Sequence, residues 1–230
     1  MESHGRRCGV FEIRGTSDII CRGSTMSCFC AVDRDRGDWR KGVWLSMAIG
    51  QIYLASDPRL RQKSKPVRQF GSDVKVLADD MLESMIAGSG IGLAAPQIGL
   101  LQRLLVARLP EDEDDPQSGK SYALVNPRLV KASSQEVEGV EGCLSMPTWY
   151  GKVWRPEWAV VKARTVQGKP IRIKAEGYLA RVFLHEMDHL DGILFTDHIE
   201  NPEDLWQEVP EHVETAEESG VAVDAVVRVA

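Results

Sequence analysis

The segment His185-Glu186-Met187-Asp188-His189 constrains the fold more than any other part of this chain. On an α-helix, positions i and i+4 lie on one face, one turn apart, so both imidazoles can reach a single metal ion. Glu186 points one step round from that face and is well placed to act on a water held there. A His pair at this spacing with an adjacent Glu is a signature of zinc-type hydrolases. The competing reading is a surface helix that happens to carry two His among several acids. The chain has only five His, and two of them fall at this spacing beside a Glu. Leu179, Val182, Phe183, Leu190 and the two His spread over most of the circumference between Glu176 and Asp191. That predicts a largely buried helix, ended by Gly192.

A hydrolytic metal usually takes three protein ligands and keeps one open position. Cys8, Cys21, Cys28 and Cys30 lie in the first thirty residues, and Cys143 is the only cysteine after them. It sits in Glu141-Gly142-Cys143-Leu144-Ser145-Met146-Pro147. Taken alone, Cys143 reads as a small buried apolar residue. Taken with the helix, it is the candidate third ligand. A further segment, Gly90-Ile91-Gly92-Leu93-Ala94-Ala95-Pro96-Gln97, carries small residues in series. Alternating glycines let a backbone pass close to a substrate or another strand. Gln97 offers an uncharged donor for a developing oxyanion. The segment lacks the Gly-Lys-Ser/Thr ending of a phosphate loop and the third glycine of a dinucleotide fingerprint.

In this order, the three segments resemble the peptide deformylase family, whose motifs are Gly-φ-Gly-φ-Ala-Ala-x-Gln, Glu-Gly-Cys-φ-Ser and His-Glu-x-Asp-His, with φ apolar. All three match without exception, and the resemblance runs from about Met47 to about Glu200. Asp57-Pro58-Arg59-Leu60-Arg61 is similar to the family's entry strand and turn. The resemblance implies a hydrolase that removes the N-formyl group from the initiator methionine of new polypeptides and releases formate. It implies Cys143, His185 and His189 as ligands of one Fe2+ ion per chain, with Zn2+ or Ni2+ as substitutes; ligand type alone favours zinc. It implies Glu186 as general base, and Gln97 and the Leu144 backbone N–H as oxyanion donors. Gly90, Ile91, Gly92 and Val182 are the expected substrate contacts, with the peptide added as a strand along Gly90–Gly92. For Ile91 and Val182 ordinary core packing is the competing reading. One departure stands out. After Pro147 the chain reads Thr148-Trp149-Tyr150-Gly151, where the family often has a Gly or a charged residue.

Charge divides the chain into three parts. Residues 1–46 carry eight Lys/Arg and six Asp/Glu, residues 47–199 nineteen of each, and residues 200–230 one Arg and nine acids. The balanced middle predicts no nucleic-acid stripe. No apolar run approaches the ~18 residues that a membrane span needs. A single cysteine in the middle part forms no disulfide there, which points to a reducing compartment and a thiolate used for chemistry; the resemblance implies a bacterial-type cytoplasmic location. Residues 1–46 lack the apolar stretch of a secretory signal, and six acids argue against a transit peptide. They are expected to be a disordered or mis-assigned extension, residues 47–200 the catalytic domain, and residues 201–230 an acidic tail in which Val221–Val229 alternates loosely. The partners expected are N-formylmethionyl nascent chains near the ribosome.

Hydrophobic period predicts a short strand over Ile49–Tyr53 and a helix over Ser72–Ala87, with Ser72 as N-cap, Gly88 as stop and an apolar face including Val76, Leu77, Met81, Met85 and Ile86. Strands are expected over Leu104–Leu109, Tyr122–Val130, Trp158–Val166 and Ile171–Ala175, with Glu111–Lys120 as a hairpin tip. The fold class is therefore α+β, with antiparallel β-sheets packed around a central C-terminal metal-binding helix and one further N-terminal helix. Two rival functions fit parts of this pattern. A zinc endopeptidase fits the helix but not the upstream Cys or the Gln97 segment. A binding module with a structural metal requires a fourth ligand, which only Cys8 to Cys30 offer.

Overall fold

The structure is a computed structural model and describes residues 50–112 and 114–208. The expected extension, the tail beyond residue 208 and the alternating Val221–Val229 segment lie outside these residues. The first helix, α1 (Ser72–Ala87), has the expected bounds and stops at Gly88. Ser72 is its first residue, not its cap: Gly71 takes the capping position with φ 127°, where a side chain is strained, and Ser72 Oγ donates to Asp73. The buried face is Val74, Ala78, Met81 and Met85, while Val76 and Ile86 are exposed. The apolar stripe is thus rotated from the expected one. Residues 50–53 form no strand; Tyr53 N–H donates a lone bond to the Gln97 carbonyl.

The strands are β1 (Gly92–Ala94), β2 (Leu104–Arg108), β3 (Ser121–Ala132), β4 (Glu136–Cys143), β5 (Met146–Pro156), β6 (Trp158–Arg164), β7 (Pro170–Glu176) and β8 (Leu205–Gln207). They form two sheets, antiparallel throughout, in the orders β1-β2-β3-β6-β7 and β4-β5-β8. Glu111–Lys120 is the tip of the β2–β3 hairpin, as expected. The second helix, α2 (Gly177–Asp191), ends at Gly192, whose φ of 79° suits a residue without a Cβ.

Alternation along each strand gives the larger sheet two apolar faces. Leu105, Ala107, Leu124, Ala159, Val161, Ala163 and Ala175 pack with Leu179, Val182, Phe183 and Leu190 of α2. Leu93, Leu104, Val106 and Val125 point the other way and pack with Val74, Ala78, Met81 and Met85 of α1. The helix carrying the His pair is therefore pressed between sheets, with its face buried as its sequence requires. The architecture is α+β, with antiparallel sheets around the C-terminal helix. Among the described residues no helix is long and apolar enough to cross a membrane.

Candidate metal centre

Three elements meet at one buried point. Cys143 is the last residue of β4, followed by a two-residue turn, Leu144–Ser145, and a register slip that pairs Cys143 with Met146. His185 and His189 come from successive turns of α2. Ligand atoms of these three residues lie within 4.8 Å of one another, and all three residues are buried. Cys143 Sγ is 3.2 Å from His189 Nε2. The two rings stand edge to face, with centroids 5.0 Å apart, and His185 stacks on Phe195 at 6.1 Å.

Burial without partners fits this cluster to a metal. His185 Nε2, His189 Nδ1 and both carboxylate oxygens of Glu186 are buried and accept or donate no hydrogen bond. Leaving such a group unsatisfied costs about 1–3 kcal/mol, more if charged. A cation held by Cys143 Sγ and one nitrogen of each imidazole, with one position left open, satisfies His185 Nε2 and draws the Glu186 carboxylate, and the donor set fits a divalent metal. His189 faces Cys143 with Nε2, so its Nδ1 stays outside the donor set.

Glu186 is fully buried, and burial pushes its carboxyl up to about 7, against the opposing charge of His185. It is not one of the three clustered donors. Its space is supplied by Gly92: a Cβ there would fall 2.9 Å from both Cγ and Cδ of Glu186 and nearer still to Oε1. Burial and the neighbouring His185 hold His189 well below the usual imidazole range, so it is neutral and free to ligate.

Gln97 is also fully buried, in a short 3-10 turn over Ala95–Ile98. Its Oε1 accepts from the Ala94 N–H at 2.7 Å. That bond fixes the amide so that Nε2 faces the site, 3.3 Å from Ser145 Oγ and 3.5 Å from Cys143 Sγ. Gly90 and Ile91 lead into β1, which ends the sheet order, so that among the described residues its second edge pairs with no strand. Ile91 and Val182 are both buried in the apolar cluster under α2. Leu144 packs against both main clusters.

The sequence reading missed Glu141, Arg155 and Arg181. Glu141 Oε2 lies 2.9 Å from His185 Nδ1, so it accepts that N–H and leaves Nε2 to face the metal position. Arg155 donates to both Glu141 oxygens at 2.9 and 3.0 Å, and Arg181 donates to Oε1 at 3.0 Å. Burial opposes ionisation of Glu141, but the bonds from His185 and Arg155 outweigh it and hold the carboxyl well below its usual range. A signal for Glu141 existed: two residues before Cys143 on a strand, it shares the face that carries the ligand.

The chain matches the model of the polypeptide deformylase family over residues 49–204. It is 47% identical over 174 residues to a peptide deformylase of Thermomicrobium roseum, covering 74% of this chain and 97% of that protein. A peptide deformylase of Roseiflexus is 43% identical over 185 residues, 75% of this chain and all of that one (100%). The crystal structure of the Thermus thermophilus peptide deformylase superposes with a TM-score of 0.61 at 44% identity, over 68% of this chain and 89% of that chain. That of Synechococcus elongatus, in complex with actinonin, superposes with a TM-score of 0.62 at 38% identity, over 67% and 83%. A buried Cys-His-His cluster beside an unpartnered Glu, in this fold and with these relatives, places the chain in the polypeptide deformylase family.

Proposed function

We propose that Cys143, His185 and His189 hold one Fe2+ ion, with Zn2+ or Ni2+ as substitutes, and that Glu186, Gln97 and Leu144 carry out the deformylation of N-formylmethionyl chains around it. The observation that carries this reading is Glu186: a fully buried carboxylate with both oxygens unpartnered, one residue from His185. A divalent ion in the cluster supplies a positive charge that polarises a carbonyl oxygen and makes water more acidic. Glu186 takes a proton from water as its oxygen bonds to the formyl carbon, then gives that proton to the amine nitrogen as the C–N bond breaks. Formate and a free N-terminus result. Gln97 Nε2–H, aimed into the site by its bond from Ala94, and the Leu144 backbone N–H stabilise the oxyanion between these steps.

The open edge of β1 suits an extended peptide, added as one more strand along Gly90–Gly92. Ile91 and Val182 form the wall on which the methionine side chain rests. The narrow space around Glu186 admits a formyl hydrogen and excludes an acetyl methyl. The substrate is taken close to the ribosome, in a bacterial-type cytoplasm. Residues 47–200 are the catalytic domain and residues 1–46 contribute nothing to it, a reading supported by their lack of apolar periodicity.

The test is formate release from a formyl-Met peptide by protein prepared anaerobically with Fe2+, beside protein loaded with Zn2+. Iron as the working metal predicts fast turnover that decays in air as the iron and Cys143 oxidise, and slower, air-stable turnover with zinc. Equal, air-stable rates with both metals overturn the iron assignment. Cleavage of an N-acetyl peptide at a similar rate overturns the formyl selectivity. A chain starting at Met47 should melt and turn over as the full chain does.

A further inference from the structure

The α1 helix covers only part of its face of the large sheet. Its buried residues pack on β1, β2 and the start of β3. Among the described residues no element packs over that face across the rest of β3, β6 and β7, and the exposed side chains there are mostly basic. Between the α2-facing residues Val161, Ala163 and Ala175 stand Lys162, Arg164, Arg172 and Lys174, which alternation turns to the opposite side. Lys162 lies directly opposite Arg128 on one neighbouring strand and Arg172 on the other. Val160, one step along, lies opposite Lys131 and Lys174.

Like charges directly opposite one another destabilise a sheet. Among the described residues none of Arg128, Lys162 and Arg172 forms an ion pair, whereas Lys174 pairs with Glu176. Arg164 is held by the Gly168 carbonyl at 2.7 Å and lies 5.7 Å from the Phe70 ring, contacts that leave its charge uncompensated. Lys131 and Lys174 put their Nζ atoms 5.5 and 5.6 Å from the ring centre of Trp158. Arg128, Lys162, Arg164 and Arg172 line a cleft of about 630 Å³ that has no carboxylate in its walls. The equal numbers of acids and bases over residues 47–199 conceal this, because that balance averages over all faces.

We propose that this uncovered face docks the phosphate backbone of RNA. Rows of cations about 5 Å apart across neighbouring strands match a repeating anion better than a single one. Guanidinium forks at Arg128 and Arg172 suit phosphate oxygens, and Trp158, four residues along β6 from Lys162, offers a stacking surface at the far end of the row. The choice of RNA among polyanions rests on the deformylase reading, since a nascent chain is presented by an RNA-rich particle. The face lies on the side of the sheet away from α2, so an RNA docked there leaves the metal centre open.

The test uses metal-loaded full chain and a fluorescein-labelled single-stranded RNA, with affinity followed by anisotropy over a salt series. The variant R128E/K162E/R172E should bind at least about tenfold more weakly, and its log–log salt slope should fall by about 2, for three lost phosphate contacts at ~0.7 each. Its formate release should equal that of the parent chain. The neutral variant R128Q/K162Q/R172Q serves if the acidic one misfolds, and it should show the same loss of slope. Absence of RNA binding at low salt overturns the proposal, as does an unchanged slope in a folded variant. Binding to anionic phospholipid vesicles in place of RNA overturns it too. Loss of the deformylase reading shows separately, as absent formate release from the parent chain.

Discussion

Gly92→Ala tests whether the Glu186 carboxylate, the proposed general base, is held by a missing side chain. The three atoms nearest a Cβ at Gly92 all belong to Glu186, and two of them would be 2.9 Å away. Ordinary Cβ contacts lie at 3.4 Å or more, and the carboxylate has no solvent to move into, since Glu186 is fully buried. Relieving the overlap requires the carboxyl group to move by about 1 Å, and a displacement of that size at a reacting group costs about 10²-fold in rate. That corresponds to about 2.7 kcal/mol of activation free energy. Overpacking should also lower stability by about 1–3 kcal/mol. Metal content should not change, because none of those nearest atoms belongs to a ligand. The assay is steady-state formate release with metal analysis and a thermal melt on the same preparation. In the proposed mechanism KM reports peptide pairing along β1, and kcat reports the base. A G92A protein with full metal and a kcat within about threefold of the parent would refute the argument, since a factor of three is under 1 kcal/mol.

The other predictions concern the carboxylates. Glu186→Ala should keep its metal and lose about 10²–10⁴-fold in turnover, the range for a general base; metal analysis and turnover on one sample decide it. In the parent enzyme the acid limb of kcat/KM should lie at or below pH 7, because burial places Glu186 at about 7 and a nearby cation favours its ionised form; a limb well above 7 contradicts the assignment. Glu141→Gln should weaken metal affinity by about 10–100-fold, as loss of a bond that orients a ligating His does; competition with a chelator measures it. The same substitution tests acid stability. The folded pKa of Glu141 is lowered, so its contribution is present above the unfolded value of about 4.3 and is lost as pH falls below it. Urea midpoints of parent and E141Q should therefore converge in acid and separate towards neutrality.

The helix of the site was legible because its evidence is local. Two His, a Glu and the apolar residues around them fix both period and burial within a single element. Cys143 followed by elimination, and Gln97 and Gly92 followed from the motifs. Glu141 needed the fold, since its cations come from Arg155 and Arg181, 14 and 40 residues away. The strands β4 and β5 were not foreseen because much of their length faces solvent: Glu136, Val137, Glu138, Lys152 and Trp154 are exposed, so no apolar run marks them. The apolar stripe of α1 was misjudged because apolar residues lie on more than one side of it, and only contact with Leu93, Leu104 and Val106 selects the buried one. At residues 50–53 apolar character found no neighbouring strand, and the chain there makes only isolated backbone bonds.

The ligands also come from different layers of the molecule. Cys143 belongs to the three-stranded sheet, whereas both His ride on the helix that packs under the five-stranded one. An ion bound to all three is a cross-link between separately built layers, closing a loop of more than forty residues between Cys143 and His185. Cross-links of that span stabilise a fold by about 3–4 kcal/mol in the chain-entropy account. Metal supply would then govern how long the protein survives as well as how fast it works. A cell short of metal would hold fewer copies, because the unclamped layers part more often and expose the chain to proteases.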